Sequence, residues 1–120
     1  MTRHDTIVAL QQMLEAARRA VAITSDRSRD DLDSDGLLYL AVVRVLEVLG
    51  EAASRVPRSD RARHPAIPWA EVVGLRNRLI HGYDAVDLDI VWSIVKDDVP
   101  ALLVELERAI EVTGPPAADD

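Results

Sequence analysis

The segment from about Gly36 to Val56 constrains the fold of this 120-residue chain most, because it is apolar nearly all round at helical spacing. A helix of that kind lies near the centre of a bundle, where other helices cover several of its sides. One polar stripe interrupts it, with members three, four and four residues apart: Arg44, Glu47, Glu51 and Arg55. Such a stripe is either a row of helix ion pairs or part of the lining of a site.

Three more segments carry apolar residues at three-to-four spacing, and no segment shows the convincing alternation that is typical of a strand. They predict helices over about 5–23, 69–81 and 88–111, in addition to the one over 36–56. The chain is therefore predicted to be all-α, an antiparallel bundle of four to five helices. We expect a single domain over residues 1–112 and a frayed tail over 113–120.

Turn and capping residues mark where the predicted helices begin and end. Ser34 or Asp35 is the predicted N-cap of the central helix, after a polar loop over 24–35. Gly82 is a natural stop for the helix that follows the proline-rich loop over 57–68. Pro100 falls inside the last helical pattern, which predicts a kink or a break near residues 96–99.

The composition excludes several classes of protein. The chain has no Cys, which excludes a disulfide scaffold, a cysteine nucleophile and a thiolate metal site. Its three histidines, His4, His64 and His81, show no metal-binding spacing, so neither a metal nor another cofactor is predicted. No secretory segment and no uncharged run of about 18 residues is present, which favours a cytoplasmic protein without membrane contact.

The formal net charge of −7 argues against a nucleic-acid partner until it is divided along the chain. Residues 55–82 contain six arginines and two acids, a charge of 6 − 2 = +4. The other residues contain 8 basic and 19 acidic groups, a charge of −11. One basic segment therefore lies within an acidic chain. The loop arginines of this segment, Arg58, Arg61 and Arg63, are most simply read as solvated surface charge.

The end of the third predicted helix carries the residues best suited to chemistry, Arg76, Asn77 and His81. A guanidinium can hold a phosphate and stabilise charge that develops on it, and His can transfer a proton near neutral pH. Metal-free cleavage of RNA by its own 2′-hydroxyl needs both roles. On one helix Arg76 and His81 would point about 140° apart, whereas Asn77 and His81 would share a face. The spacing alone leaves two readings open, a catalytic pair, which two copies of the helix could complete, or a surface Arg and a His beside the helix dipole.

The motif Arg76-x4-His81-x-Tyr83 stands within a longer pattern that runs from Ile67-Pro68-Trp69 to Val99-Pro100 and includes Leu46-Glu47-Val48-Leu49-Gly50-Glu51-Ala52 upstream. This pattern resembles the HepT-like toxins of the HEPN superfamily over about residues 5–112. The resemblance implies a helical homodimer in which the Arg-x4-His motifs of both copies face one cleft. It also implies a metal-independent endoribonuclease acting on RNA, with Arg76 and His81 as the catalytic pair and Asn77 in support.

The resemblance further implies a partner and a means of control. HepT-like toxins pair with a minimal nucleotidyltransferase antitoxin, which transfers AMP to the Tyr of the motif, here Tyr83. An added phosphate two residues from His81 would repel RNA and block the cleft. An alternative from another class is a non-catalytic dimeric module, in which Arg76 and His81 bind a nucleotide or the partner protein and cut nothing.

Overall fold

A computed structural model describes residues 3–81 and 85–114, and the side chains of residues 3, 80, 81 and 85 lie outside that description. Its elements, in chain order, are α1 (Arg3–Ile23), α2 (Asp31–Ser34), α3 (Gly36–Ser54), α4 (Arg58–Arg61), α5 (Trp69–Val73), α6 (Leu75–Leu79), β1 (Ile80–His81), β2 (Ala85–Val86), α7 (Leu88–Ser93), a π-helical segment (Ile94–Asp98) and α8 (Val99–Thr113). Apart from two strands of two residues each, every regular element among the described residues is helical. This confirms the predicted all-α class.

Helix α1 packs along both α3 and α8 and runs antiparallel to each of them. In the middle of α1, the side-chain oxygen of Gln12 accepts a hydrogen bond at 3.0 Å from the guanidinium of Arg55, the residue after α3. Just past the end of α1, the carbonyl oxygen of Thr24 accepts a hydrogen bond at 3.1 Å from the ammonium group of Lys96, which precedes α8. The helices enclose one apolar core, whose largest fully buried side chains are Ile7, Leu10, Met13, Val42, Leu46, Leu49, Val56, Leu79, Val91, Ile94, Val95 and Leu106.

The central helix α3 is covered over much of its length but not all round. Val42, Leu46 and Leu49 are fully buried. Nearer its start, the side chains of Leu37 and Leu40 are 81% and 61% exposed. The prediction of a helix covered on several sides therefore holds only for the later turns of α3, and its first two turns carry an exposed apolar face.

Asp35 is the N-cap of α3, as one of the two predicted alternatives had it. Its carboxylate accepts hydrogen bonds from the backbone N–H groups of Leu37 and Leu38, both at 3.1 Å. The bond from Leu38 is the main cause of a lowered pKa of Asp35, and the hydrogen bond from the Arg27 guanidinium lowers that pKa further. The preceding polar segment, predicted as a loop, contains the one-turn helix α2. The loop predicted over 57–68 likewise contains the one-turn helix α4.

The helix predicted over 69–81 differs from the one observed. It is divided at Gly74, whose backbone has φ −83° and ψ 7°, outside the usual helical range. The second piece, α6, ends at Leu79 rather than at the predicted stop, Gly82. The backbone of His81 instead pairs with Ala85 in a short antiparallel ladder. A strand of two residues has no periodicity to detect, which is why the sequence pattern did not reveal it.

The break predicted near residues 96–99 is confirmed. Pro100 has no N–H to donate, and its ring would clash with the carbonyl group of Lys96 in a regular α-helix. The chain widens into the π-helical segment, and the N–H of Val99 donates to the carbonyl oxygen of Ile94, five residues earlier. Helix α8 then continues to Thr113. Residues 115–120 of the predicted tail lie outside the described residues. None of the helices described has the length and apolar character needed to cross a membrane.

Candidate functional site

Helix α6 carries two arginines that are used differently. The Arg78 guanidinium forms an ion pair at 3.1 Å with the carboxylate of Asp98. This contact connects α6 to the π-helical segment. Arg76 is exposed and forms no ion pair or hydrogen bond through its side chain with any residue that the structure describes. Its guanidinium is therefore available to an external anion, as the sequence prediction for Arg76 requires.

A groove of about 410 Å³ separates α3 from the α5–α6 pair, and Arg76 forms part of its wall. We call it the Arg76 groove. Its other lining residues are Arg44, Glu47, Gly50, Glu51 and Ser54 of α3, and Val73 of α5. Three of the four residues in the polar stripe of α3 thus line the groove with Arg76. The structure joins two features, the stripe and the Arg-x4-His motif, that the sequence left separate.

The polar stripe of α3 contains one ion pair and also residues that line the groove. Arg55 and Glu51 form an ion pair at 3.5 Å, and Arg55 also donates to Gln12. Arg44 and Glu47 form no ion pair among the described residues, and both face the groove. Glu51 and Arg55 are therefore ion-paired along the helix, whereas Arg44, Glu47 and Glu51 line the groove.

Gly50 allows α3 to lie close enough to α5 and α6 to form this groove. A Cβ atom at position 50 would lie 3.0 Å from the carbonyl oxygen of Val72 and 3.4 Å from the Cβ atom of Leu75. The first distance is shorter than ordinary van der Waals contact, so a larger residue would push the α5–α6 pair away. The position of Arg76 relative to α3 thus depends on the absence of a side chain at Gly50.

A second groove, of about 440 Å³, lies between α1 and α3 on the other side of Arg44. Its cations are largely engaged within the protein. Arg19 pairs with Glu15 at 2.8 Å, and Arg55 is held by Glu51 and Gln12. Arg44 and Glu51 line both grooves, so the two form one continuous polar surface along α3.

The remaining predicted site residues are placed only in part. Asn77 is exposed on α6, next to Arg76. The backbone of His81 lies in β1, beyond the end of α6, so the helical angle and shared face predicted for this residue do not apply. The His81 side chain and the whole of Tyr83 lie outside the described residues.

The arginines of the basic segment are less uniform than the sequence suggested. The Arg61 guanidinium donates to the carbonyl oxygen of Val56 at 2.8 Å and lies over the Trp69 ring, so it is a structural residue rather than a solvated charge. Arg58 and Arg63 are exposed, in agreement with the prediction. Among the residues described, no three His, Cys, Asp or Glu side chains converge as metal ligands.

Comparison with known proteins identifies the family to which this chain belongs. The model of the HepT-like ribonuclease family matches residues 13–109. A Methanocaldococcus jannaschii protein named as a candidate RNase is 37% identical over 89% of this chain and 98% of its own length. A Thermococcus cleftensis protein named as a probable ribonuclease HepT is 35% identical over 82% of this chain and 90% of its own. No solved structure is significantly similar. The chain belongs to the HepT-like ribonuclease family, and this membership supports ribonuclease activity.

Proposed function

We propose that this protein is the toxin of a toxin–antitoxin pair and acts as a metal-independent endoribonuclease. The observation that carries the proposal is the state of Arg76, an exposed guanidinium that has no ion-pair partner among the described residues and lines a groove. Its neighbour Arg78 is held by Asp98. Arg can contact a phosphate through two parallel hydrogen bonds, so Arg76 is suited to hold an RNA phosphate.

The proposed reaction needs only groups of the RNA and of this chain. The 2′-oxygen of a ribose attacks the adjacent phosphorus, and the bond from phosphorus to the 5′-oxygen of the next nucleotide breaks. One product ends in a 2′,3′-cyclic phosphate and the other in a 5′-hydroxyl group. Arg76 stabilises the negative charge that develops on the phosphoryl oxygens. His81 takes the proton of the 2′-hydroxyl and gives it to the departing 5′-oxygen, so that no proton is gained or lost overall, and Asn77 helps to orient His81 or the phosphate.

The active form is proposed to be a homodimer in which both Arg-x4-His motifs face one cleft. The exposed Leu37 and Leu40 support this, because an apolar helix face of this kind is suited to pair with a second copy. Leu40 and Arg44 are four residues apart on α3, so pairing through the leucines would bring the two Arg76 grooves near each other. We expect Leu40→Asp to give a monomer by sedimentation analysis. A dimer of unchanged affinity would contradict this interface.

Control is proposed to act at Tyr83 through a minimal nucleotidyltransferase antitoxin. The Tyr83 oxygen would attack the α-phosphorus of ATP, form a new bond to phosphorus, lose its proton and release pyrophosphate. The bound AMP would place negative charge near His81 and exclude RNA from the cleft. Intact-mass analysis after incubation with the partner and ATP should show added AMP. Addition that maps elsewhere, or that persists in Tyr83→Phe, would contradict this role.

The ribonuclease proposal is tested with purified, unmodified protein and labelled single-stranded RNA in excess EDTA. Loss of a transition-state donor or of a proton-transfer group typically costs a factor of about 100 or more, so Arg76→Ala and His81→Ala should each reduce kcat/KM by at least that factor. Arg58→Ala removes an equal charge from an exposed position and is the matched control.

The products should carry 2′,3′-cyclic phosphate ends. Intact RNA with the wild-type protein would overturn the enzymatic proposal and favour the non-catalytic module. Cleavage that EDTA abolishes would overturn metal independence alone.

A further inference from the structure

The Arg76 groove contains two arginines without an ion-pair partner among the described residues, Arg76 and Arg44. They come from distant parts of the sequence and from different helices, α6 and α3. We propose that Arg44 is a second phosphate-binding residue, which holds the RNA backbone beside the phosphate that Arg76 contacts. This inference rests on the proposed ribonuclease function and extends it from the scissile phosphate to the path of the strand.

The other arginines near the groove are already engaged, which is what distinguishes Arg44. Arg55 is held by Glu51 and Gln12, and Arg78 is held by Asp98. Arg44 is exposed and makes no hydrogen bond or ion pair among the described residues. Because no ion pair or hydrogen bond within the described residues engages the Arg44 guanidinium, it remains free for an external anion.

The charge of the groove favours an anion once the Arg55 contact is included. Arg44 and Arg76 supply two positive charges, and Glu47 and Glu51 supply two negative ones. The ion pair from Arg55 offsets the charge of Glu51. The balance is 3 − 2 = +1, and its positive members stand on both walls of the groove. A strand between α3 and α6 would therefore meet a guanidinium on either side, with Glu47 as the opposing charge.

The size of the groove also fits a segment of nucleic acid. Its volume of about 410 Å³ lies within the range of roughly 300–1,000 Å³ that is usual for sites of small organic ligands. One sugar–phosphate unit fits such a space. Because the groove continues past Arg44 into the one between α1 and α3, the strand has an open path along α3.

The test measures binding and cleavage separately, so that the two proposals can fail independently. Binding is measured by fluorescence anisotropy with a single-stranded RNA whose 2′-hydroxyl groups are methylated, which blocks cleavage. Arg44→Ala should raise the Kd about five- to tenfold, and the slope of log Kd against log salt should fall by about 0.7, the value for one phosphate contact on a single strand. Arg44→Lys should retain most of the salt slope. Arg58→Ala, an exposed arginine outside the groove, should change neither quantity.

A variant that removes a negative charge from the groove is expected to have the opposite effect on RNA binding. Glu47→Gln removes the opposing charge of the same groove and should lower the Kd about two- to threefold. In the cleavage assay Arg44→Ala should raise KM with kcat within about twofold, since Arg44 is proposed to hold the strand and not the reacting atoms. Melting temperatures near that of the wild type will show that the fold is intact.

The inference is overturned if Arg44→Ala and Arg58→Ala bind RNA equally well with equal salt slopes, or if Glu47→Gln binds more weakly. Absence of cleavage by the wild-type protein, together with the expected Arg44 effect on binding, would overturn the proposed catalysis and leave the binding site standing.

Discussion

The close contact at Gly50 predicts that a side chain at this position disrupts the candidate site by displacing the α5–α6 pair, which carries Arg76, from α3. Gly50→Val would place a Cβ atom 3.0 Å from the carbonyl oxygen of Val72, and two γ-methyl groups would follow. Overpacking of this kind costs about 1–3 kcal/mol. The substitution also gains helix propensity, about 0.3–0.5 kcal/mol for Val relative to Gly in a helix interior. We therefore expect the free energy of unfolding to fall by about 0.5–2.7 kcal/mol.

The matched control is Gly36→Val, at the first residue of the same helix. A Cβ atom there meets nothing within 4 Å, so the free energy of unfolding should change by less than about 0.5 kcal/mol. Both variants are measured by urea unfolding at one pH, with the slope compared to verify two-state behaviour.

Because the absence of a side chain at Gly50 lets α3 lie close to the helix pair that carries Arg76, Gly50→Val should also reduce RNA cleavage more than Gly36→Val does. Equal stability of the two variants would refute the claim that α3 and the α5–α6 pair are held at this distance by the missing side chain.

Three further predictions concern contacts around the site. Because the pKa of Asp35 is lowered in the folded state, its charge stabilises the fold above about pH 4, and this contribution is lost as the pH falls through the folded-state pKa. The melting temperature of Asp35→Asn should therefore lie below that of the wild type at pH 7 and approach it toward pH 3. Arg78→Ala should lower the free energy of unfolding by less than about 1 kcal/mol, because its ion pair with Asp98 is partly exposed, and should affect cleavage far less than Arg76→Ala. Trp69→Phe removes an N–H that donates to the carbonyl oxygens of residues 61 and 64, and should cost about 1–2 kcal/mol in urea unfolding.

Local chemistry explains the parts of the fold that the sequence predicted well. The side chain of Asp35 caps a helix because its oxygen reaches N–H groups two and three residues ahead. Pro100 disturbs a helix because it lacks an N–H and crowds the preceding turn. Both effects act within a few residues, so they can be read without knowing the tertiary structure. The apolar periodicity of α1, α3 and α8 is equally local and gave the bundle.

The parts that were missed depend on contacts between distant residues. Nothing in the run from Trp69 to His81 requires a break at Gly74 or an end at Leu79. The end of α6 is coupled to residues further along the chain, because the N–H of Asp87 donates to the carbonyl oxygen of Leu79 at 3.2 Å. Asp87 is also the N-cap of α7, so this hydrogen bond links the end of α6 to the start of α7. His81 therefore lies beyond the end of α6, and the helical geometry assumed for Arg76 and His81 does not apply.

Electrostatic reasoning along the sequence singled out the segment that contains Arg76 but gave no reason to consider Arg44. Of the six arginines in the basic stretch, Arg55, Arg61 and Arg78 are engaged by the protein itself. Of the remaining three, Arg76 lines the Arg76 groove. The other unengaged arginine of that groove, Arg44, belongs to the acidic part of the chain. A charge count by segment assigns Arg44 to a region that should repel RNA. In the folded protein this count no longer describes the surroundings of Arg44. Helix α3 lies against α6, and several of the nearby cations are paired within the protein. The positive field that RNA would meet therefore comes from the arginines that remain unpaired in the folded protein. The net charge of a sequence segment does not determine it.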